Sequence, residues 1–385
     1  MKIFHTADWH LGKILQGVHL TEDQSVVIAN FISQVKTEKP DCIIIAGDLY
    51  DRAVPPPEAV QLLNDTLHTL VIELGVPVIA IAGNHDSPSR LQFGSGLMRE
   101  QGLYIVGQYA FEQGPVILRD EVGEVHFHLV PYMEPSTVRH LLKDDNIISH
   151  DDAMKAIIAY MKPMMDEKAR HVFVGHAFVT PYGEKEENTS DAEKPLSIGG
   201  AEYVNAAHFD IFHYTALGHL HQAHFVKNEH IRYAGSPYKY SISEEHHKKG
   251  FYVVELDENG VANIDKRLLE AKRDIRKVEA SMDEILKMEV SEDYIFVTLT
   301  DETPVLSPME KIRTVFPNAM HVERKYVDIS LLHGEESSDT KRTEMSDQAL
   351  FEAFYREVTG KEVNDQAKEV FTDLMETYVK QTREI

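Results

Sequence analysis

The sequence is short of cysteine, of basic charge and of long apolar runs, and each shortage excludes a class of protein. With one cysteine among 385 residues, no internal disulfide can form. Cys42 lies inside the apolar stretch Cys42-Ile43-Ile44-Ile45 and reads as a buried thiol suited to a reducing cytoplasm. No uninterrupted apolar run approaches the roughly 20 residues that span a bilayer. The start, Met1-Lys2-Ile3-Phe4-His5, has no signal-peptide character. A phosphate-binding Gly-x-x-x-x-Gly-Lys-Ser/Thr loop is missing as well, so no nucleotide site is read by that route. Basic residues number 39 against 63 acidic ones, a formal charge of −24. Nucleic-acid proteins ordinarily carry a basic footprint, so net charge taken alone favours small substrates or protein partners. Bound divalent cations would reverse that balance locally.

What is present is an alternation of β-branched runs and helical patterns over the first two thirds, the mark of a layered α/β domain. Strands are expected at Lys2–Thr6, Asp41–Ala46, Val76–Ala82, Val125–Val130, His171–Val174, Tyr214–Leu217, Ile231–Ala234 and Phe251–Leu256. A helix is expected from Thr21, with Thr21 and Gln24 as a capping box and Val27, Phe31 and Val35 facing inward. A second follows Pro55-Pro56-Pro57, with Val60, Leu63, Leu67 and Val71 on one stripe. Composition shifts near Leu269, giving expected boundaries of 1–271 for the main domain and 272–333 for a small α/β domain. Residues 334–345 read as a linker and 346–385 as a helical region. In that tail, Leu350, Phe351, Phe354 and Val358 mark one helix capped by Gly360. Ala367, Val370, Phe371, Leu374 and Tyr378 mark the other. Two short helices after a linker either fold back on their own core or dock on a partner.

The chemistry lies at the strand ends. Asp8 and His10 follow the first strand, Asp48 the second, Asn84 and His85 the third. His176 ends a later strand, and His219 and His221 another. One such residue is usually a turn former or a surface histidine, and His213, His224, His230, His246 and His247 are read that way. Five strand ends that each pair a glycine or tight turn with Asp, Asn or His are not explained by turn chemistry. Ligand sites in open α/β sheets form at the carboxyl ends of strands, so these side chains are expected to meet. Oxygen and imidazole donors without thiolate suit Mn²⁺, Fe²⁺, Zn²⁺ or Mg²⁺. Seven donors exceed one tetrahedral shell and suffice for two ions about 3.5–4 Å apart, with Asp48 as the shared carboxylate.

In order and spacing, Asp-x-His, Gly-Asp-x-x-Asp, Gly-Asn-His-Asp, Gly-His and Gly-His-x-His resemble the motifs of calcineurin-like metallophosphoesterases. Within them, His5-Thr6-Ala7-Asp8-Trp9-His10-Leu11-Gly12, Ala216-Leu217-Gly218-His219-Leu220-His221 and Tyr233-Ala234-Gly235-Ser236-Pro237 are similar to SbcD-type nucleases. The resemblance implies a four-layer α-β-β-α sandwich with a capping domain and C-terminal helices. It implies one ion on Asp8, His10, Asp48 and His221, and a second on Asp48, Asn84, His176 and His219, most simply Mn²⁺. His85 would protonate the leaving 3′ oxygen, and the Asp51 carboxylate would orient His85. Asp86 reads as a turn residue. Arg52, Arg90 and Lys239 are candidate DNA contacts.

The same resemblance implies exonuclease and endonuclease activity on DNA in repair, recombination and replication, in the bacterial cytoplasm at the nucleoid. Its partners would be a coiled-coil SbcC-type ATPase gripped by the C-terminal helices, and a second copy of the chain, giving a heterotetramer. The helix from about Pro57 to Leu74 is the candidate dimer element. A small-molecule phosphodiesterase or phosphomonoesterase would share the core, although Ala53 and Asp86 depart from the protein-phosphatase pattern. A metal-free protein-binding scaffold would have lost ligands, and this sequence retains every one.

Overall fold

The computed structural model describes residues 1–183, 203–301, 303–325 and 347–375, apart from 369 and 373. The chain divides into two compact units, Met1–Arg276 and Lys277–Ile385.

The first unit is built on two six-stranded sheets. In chain order its principal strands are β1 (Lys2–Thr6), β2 (Cys42–Ala46), β3 (Val78–Ile81), β4 (Leu103–Val106), β5 (Val116–Arg119) and β6 (Glu124–Val130). They continue with β7 (Arg170–His176), β8 (Tyr214–Gly218), β9 (His224–Val226), β10 (Asn228–Tyr233), β11 (Gly250–Asp257) and β12 (Gly260–Leu268). One sheet has the order β12-β11-β1-β2-β3-β4, the other β9-β10-β8-β7-β6-β5. The two-residue period of a strand decides what each sheet buries. Ile3, Cys42, Ile44 and Ile79 face Val125, Phe127, Val172, Val174 and Ala216 across the space between the sheets. The alternate residues Phe4, Ile43, Ile45, Val78 and Ala80 face outward, onto Ile28, Phe31 and Val35 of α1 (Thr21–Glu38) and Leu63 of α2 (Pro57–His68). On the far side Phe173 and Leu217 meet Ala153, Met154, Ile157 and Ile158 of α3 (His150–Met161). The result is the expected four layers of helices, sheet, sheet and helices. Cys42 is buried, and burial pushes its thiol up.

Two helical expectations need correction. α1 begins at Thr21, but Leu20 is its N-cap and no side chain caps it. Gln24 turns inward instead of closing a capping box, for reasons that belong to the site below. In α2 the buried positions are Ala59, Leu63 and Thr66, and Val60 is exposed. A π-helical segment, Thr69–Glu73, follows and resets the phase so that Leu70 and Val71 face the core.

The second unit carries a three-stranded sheet, β13 (Ile275–Ala280), β14 (Tyr294–Leu299) and β15 (His321–Arg324), in that order, its first strand beginning two residues before the unit. Ile285, Ile295, Val297, Ile312 and Phe316 form its core. Residues 326–346, which hold the expected linker, lie outside the described residues. Beyond them α4 (Asp347–Thr359) ends at Gly360, whose φ of +67° suits glycine after a helix. Residues 365–368 are again helical, and Phe371 stacks on Phe351 with ring centroids 4.1 Å apart and planes 4° from parallel. Tyr378 lies outside the described residues.

Candidate metal centre

β1, β2 and β3 run parallel, as do β7 and β8, so within each sheet their carboxyl ends share an edge. The loops after β1 and β2 are tied together by main-chain bonds: Asp8 N to Gly47 O at 3.0 Å and His10 N to Asp48 O at 2.9 Å. Between the two site residues Asp8 and His10, Trp9 points the other way. It is buried against Phe31, with its indole N–H on Thr6 Oγ1 at 2.9 Å, and so anchors the loop from below. Asp8, His10, Asp48 and His219 all adopt positive φ, at +54°, +44°, +50° and +109°. Such conformations cost on the order of 1–3 kcal/mol each, and four at the strand ends of the two sheets mark a site whose geometry the surrounding fold imposes. Gly47 shows why the neighbours are glycine: at φ +92°, a Cβ there would lie 2.2 Å from His176 Nδ1.

The side chains converge in two groups. His10 Nε2 and His221 Nε2 lie 3.0 Å apart, while His176 Nε2 and Asn84 Oδ1 lie 2.9 Å apart. Asp48 Oδ2 stands between them, 3.5 Å from His10 Nε2 and 3.5 Å from His176 Nε2. Donor atoms of Asp8, Asp48 and His176 fall within 4.8 Å of one another, as do those of His10, Asp51 and His85. Asp8 Oδ1 accepts from His219 N at 2.9 Å, which ties the β8 loop to the β1 loop. All but Asn84 and the half-buried Asp51 are buried.

This donor set fits divalent cations. Burial first, and then the crowd of neighbouring imidazoles, holds His10 and His219 well below the usual histidine range, so both present neutral rings. His176 Nδ1 donates to Ala46 O at 2.9 Å, which leaves the Nε2 lone pair facing Asp48. His221 Nδ1 is bonded to Glu244 Oε1 at 2.9 Å, with the same effect. Residues 1–223 match the calcineurin-like phosphoesterase family.

The chain belongs to that family.

Residues 271–359 match the C-terminal domain described as that of the type 5 capsule protein repressor, under the SbcD name. The chain is also similar to a dimetal phosphatase from Danio rerio, at 13% identity and a TM-score of 0.38, over 70% of this chain and 99% of that one. A calcineurin-like phosphoesterase implies two divalent ions and hydrolysis of phosphate esters. The pairing of donors about Asp48 offers two adjoining places for such ions.

Two sequence expectations fail at this site. The Asp51 carboxylate does not orient His85. His85 Nδ1 donates to the Asp51 main-chain carbonyl at 2.7 Å, and the carboxylate pairs with Lys13 Nζ at 3.0 Å. Lys239 is not placed to meet DNA either. It is buried, and its ammonium is used by Asp274 Oδ1 at 2.7 Å and by the carbonyls of Glu245 and Ile275. Arg52 and Arg90 are exposed, on the segments that follow β2 and β3. Asp86 acts in the turn, accepting from the main-chain N–H of Gly83, Leu49 and Tyr50.

Sequence reasoning also missed residues that hold the site. Gln24 accepts from Gly12 N at 3.0 Å and donates to His10 O at 2.8 Å, fixing the first loop from α1. Tyr240 donates to Trp9 O, and its ring lies 5.4 Å from that of His10. Gln24 did leave a signal, being a polar residue on the stripe that continues through Ile28, Phe31 and Val35. Tyr240 and Glu244 left none, because the segment that brings them in is irregular.

Proposed function

We propose that this chain is a metal-dependent DNA nuclease, cutting double-stranded ends as an exonuclease and single strands or hairpins as an endonuclease. It would be the catalytic subunit of an SbcCD-type complex serving DNA repair, recombination and replication. The observation that carries the reading is the convergence about Asp48 of His10 and His221 on one side and of His176 and Asn84 on the other, with Asp8 beside them, in a chain whose residues 271–359 match a domain bearing the SbcD name.

On this reading Asp8, His10, Asp48 and His221 hold one ion, and Asp48, Asn84, His176 and His219 the other. Two Mn²⁺ ions would supply Lewis-acid charge at the phosphate and ready access to hydroxide at neutral pH. The protein's own residues do the rest. His85 sits beside the centre, its Nε2 4.0 Å from Asp48 Oδ2 and its Nδ1–H fixed on the Asp51 carbonyl. From there a protonated His85 gives its Nε2 proton to the departing 3′ oxygen and later recovers one from solvent. The exposed Arg52 and Arg90 would meet the phosphate backbone, which would offset the chain's overall negative charge locally.

The partners follow the same reading. Phe354, Val370 and Leu374 are 61%, 55% and 64% exposed on the C-terminal helices. A coiled-coil ATPase of the SbcC type would cover them. A second copy of the chain would cover Val60 and Ile72 of the Pro57–Glu73 helical segment together with Phe93 and Leu97, each of the last two 83% exposed.

Cleavage of blunt-ended and hairpin DNA with Mn²⁺ tests the proposal, alongside a chromogenic phosphomonoester and phosphodiester. DNA cleavage that a chelator abolishes is expected. Turnover of the small esters with intact DNA would assign the centre to small-molecule hydrolysis.

A further inference from the structure

The imidazoles of the centre differ in what stands behind them. His176 and His85 turn Nδ1 to main-chain carbonyls, those of Ala46 and Asp51. His221 turns Nδ1 to a carboxylate, Glu244 Oε1, at 2.9 Å. Glu244 is fully buried, and no other carboxylate forms a described hydrogen bond to a ring nitrogen of the seven donors. Its second oxygen is held by Lys249 Nζ at 2.5 Å and by Tyr240 N at 3.3 Å. Lys249 closes the arrangement by donating to His221 O at 3.0 Å and to Ser236 Oγ at 2.7 Å, and Ser236 N also bonds His221 O at 3.2 Å. Residues 236–249 therefore form a clamp on one ligand, gripping its ring and its main chain together.

A buried anion on the far nitrogen of an imidazole does two things. It fixes the tautomer that leaves Nε2 as the donor, and it pushes electron density toward that donor. A carbonyl does the first and does the second weakly. Because His221 Nε2 converges with His10 Nε2, and His176 Nε2 converges with Asn84, the carboxylate serves one side of Asp48 only.

We infer that Glu244, held by Lys249, is a positioning residue that makes the two ion places unequal, so that the place shared by His10 and His221 fills at lower Mn²⁺ concentration than the place shared by His176 and Asn84. The inference rests on the two-ion reading above and adds an order of filling to it. Glu244 touches neither ion nor substrate and acts through His221.

The test is Mn²⁺ binding to the full chain, followed by calorimetry and by the free-ion electron paramagnetic resonance signal, with no substrate present. The wild-type chain is expected to bind two ions in two separable steps. In Glu244→Gln the acceptor oxygen and side-chain shape remain while the charge goes, and the tighter step is expected to weaken about 10–100-fold while the weaker one stays. The double variant Glu244→Gln, Lys249→Met, which leaves no unbalanced buried charge, should show the same loss with the metal-free melting temperature kept near that of wild type. Two-step binding unchanged in both variants would overturn the role of Glu244 and leave the two-ion reading standing. Equal weakening of both steps in the stably folded double variant would overturn the asymmetry. A wild-type chain that binds no Mn²⁺ would overturn the inference together with the reading beneath it.

Discussion

His85 and Asp51 are adjacent in space, yet the geometry assigns them different weights. His85 Nε2 looks into the centre, and its other nitrogen rests on a main-chain carbonyl that no side-chain substitution removes. His85→Ala is therefore expected to lower DNA cleavage by about 10²–10⁴-fold, the usual span for a lost general acid. Elemental analysis of that variant should find its metal content unchanged, because the seven proposed ligands remain. Asp51→Asn should cost less than about tenfold, since the carboxylate meets Lys13 and only approaches His10 Nδ1, at 3.7 Å. Equal losses in the two variants would restore the Asp51 carboxylate to the orienting role that its sequence position suggests. The proposed ligands were legible because Asp, Asn and His beside glycine at repeated strand ends have no other common explanation. It left the orientation of His85 illegible because a carbonyl carries no side-chain signature.

At the scale of elements, the strands of the two central sheets were readable from their uninterrupted Val and Ile, and eight of them lie within a few residues of expectation. The remaining strands were not. β12 is an edge strand of mixed polarity, Gly-Val-Ala-Asn-Ile-Asp-Lys-Arg-Leu, half exposed along its length, so it lacks the apolar run that marked its neighbours. α2 misled for another reason, since its stripe was counted from Val60, which is exposed, whereas the first turn buries the adjacent Ala59.

The β6–β7 pair carries a feature outside the site. His128 Nε2 donates to His171 Nδ1 at 2.9 Å, and His171 Nε2–H donates to Asp166 O at 2.8 Å. His213 Nδ1 accepts from His171 N, and His126 is bonded to Glu124. Burial first, then His171 and His126, lowers His128 to about 3. An unfolded chain would take up that proton near pH 6.5. The unfolded state then holds more protons between pH 6.5 and about 3, so the stability present above that window is lost as pH falls through it. Thermal melts in chelator from pH 7 to pH 4 should show a falling midpoint, and His128→Phe should make that fall shallower. An identical slope in the variant would place the acid sensitivity elsewhere.

For the whole molecule, the net charge of −24 argued against nucleic acid, and the centre supplies the counter-argument by gathering sites for cations where a phosphate would lie. Among the described residues no helix is long and apolar enough to cross a membrane. On the proposed reading the exposed Phe354, Val370 and Leu374 would serve docking and not catalysis. Truncation before Gly334 is expected to abolish capture of an SbcC-type coiled coil, measured by co-purification, and to spare Mn²⁺-dependent cleavage of DNA ends. Capture by the truncated chain would move the docking surface elsewhere. The account as a whole stands on two cations sharing Asp48. Crystals grown with Mn²⁺ and measured at the manganese absorption edge test that most directly: two anomalous peaks about 3.5–4 Å apart on either side of Asp48 are predicted. A single peak, or peaks away from Asp48, would contradict it.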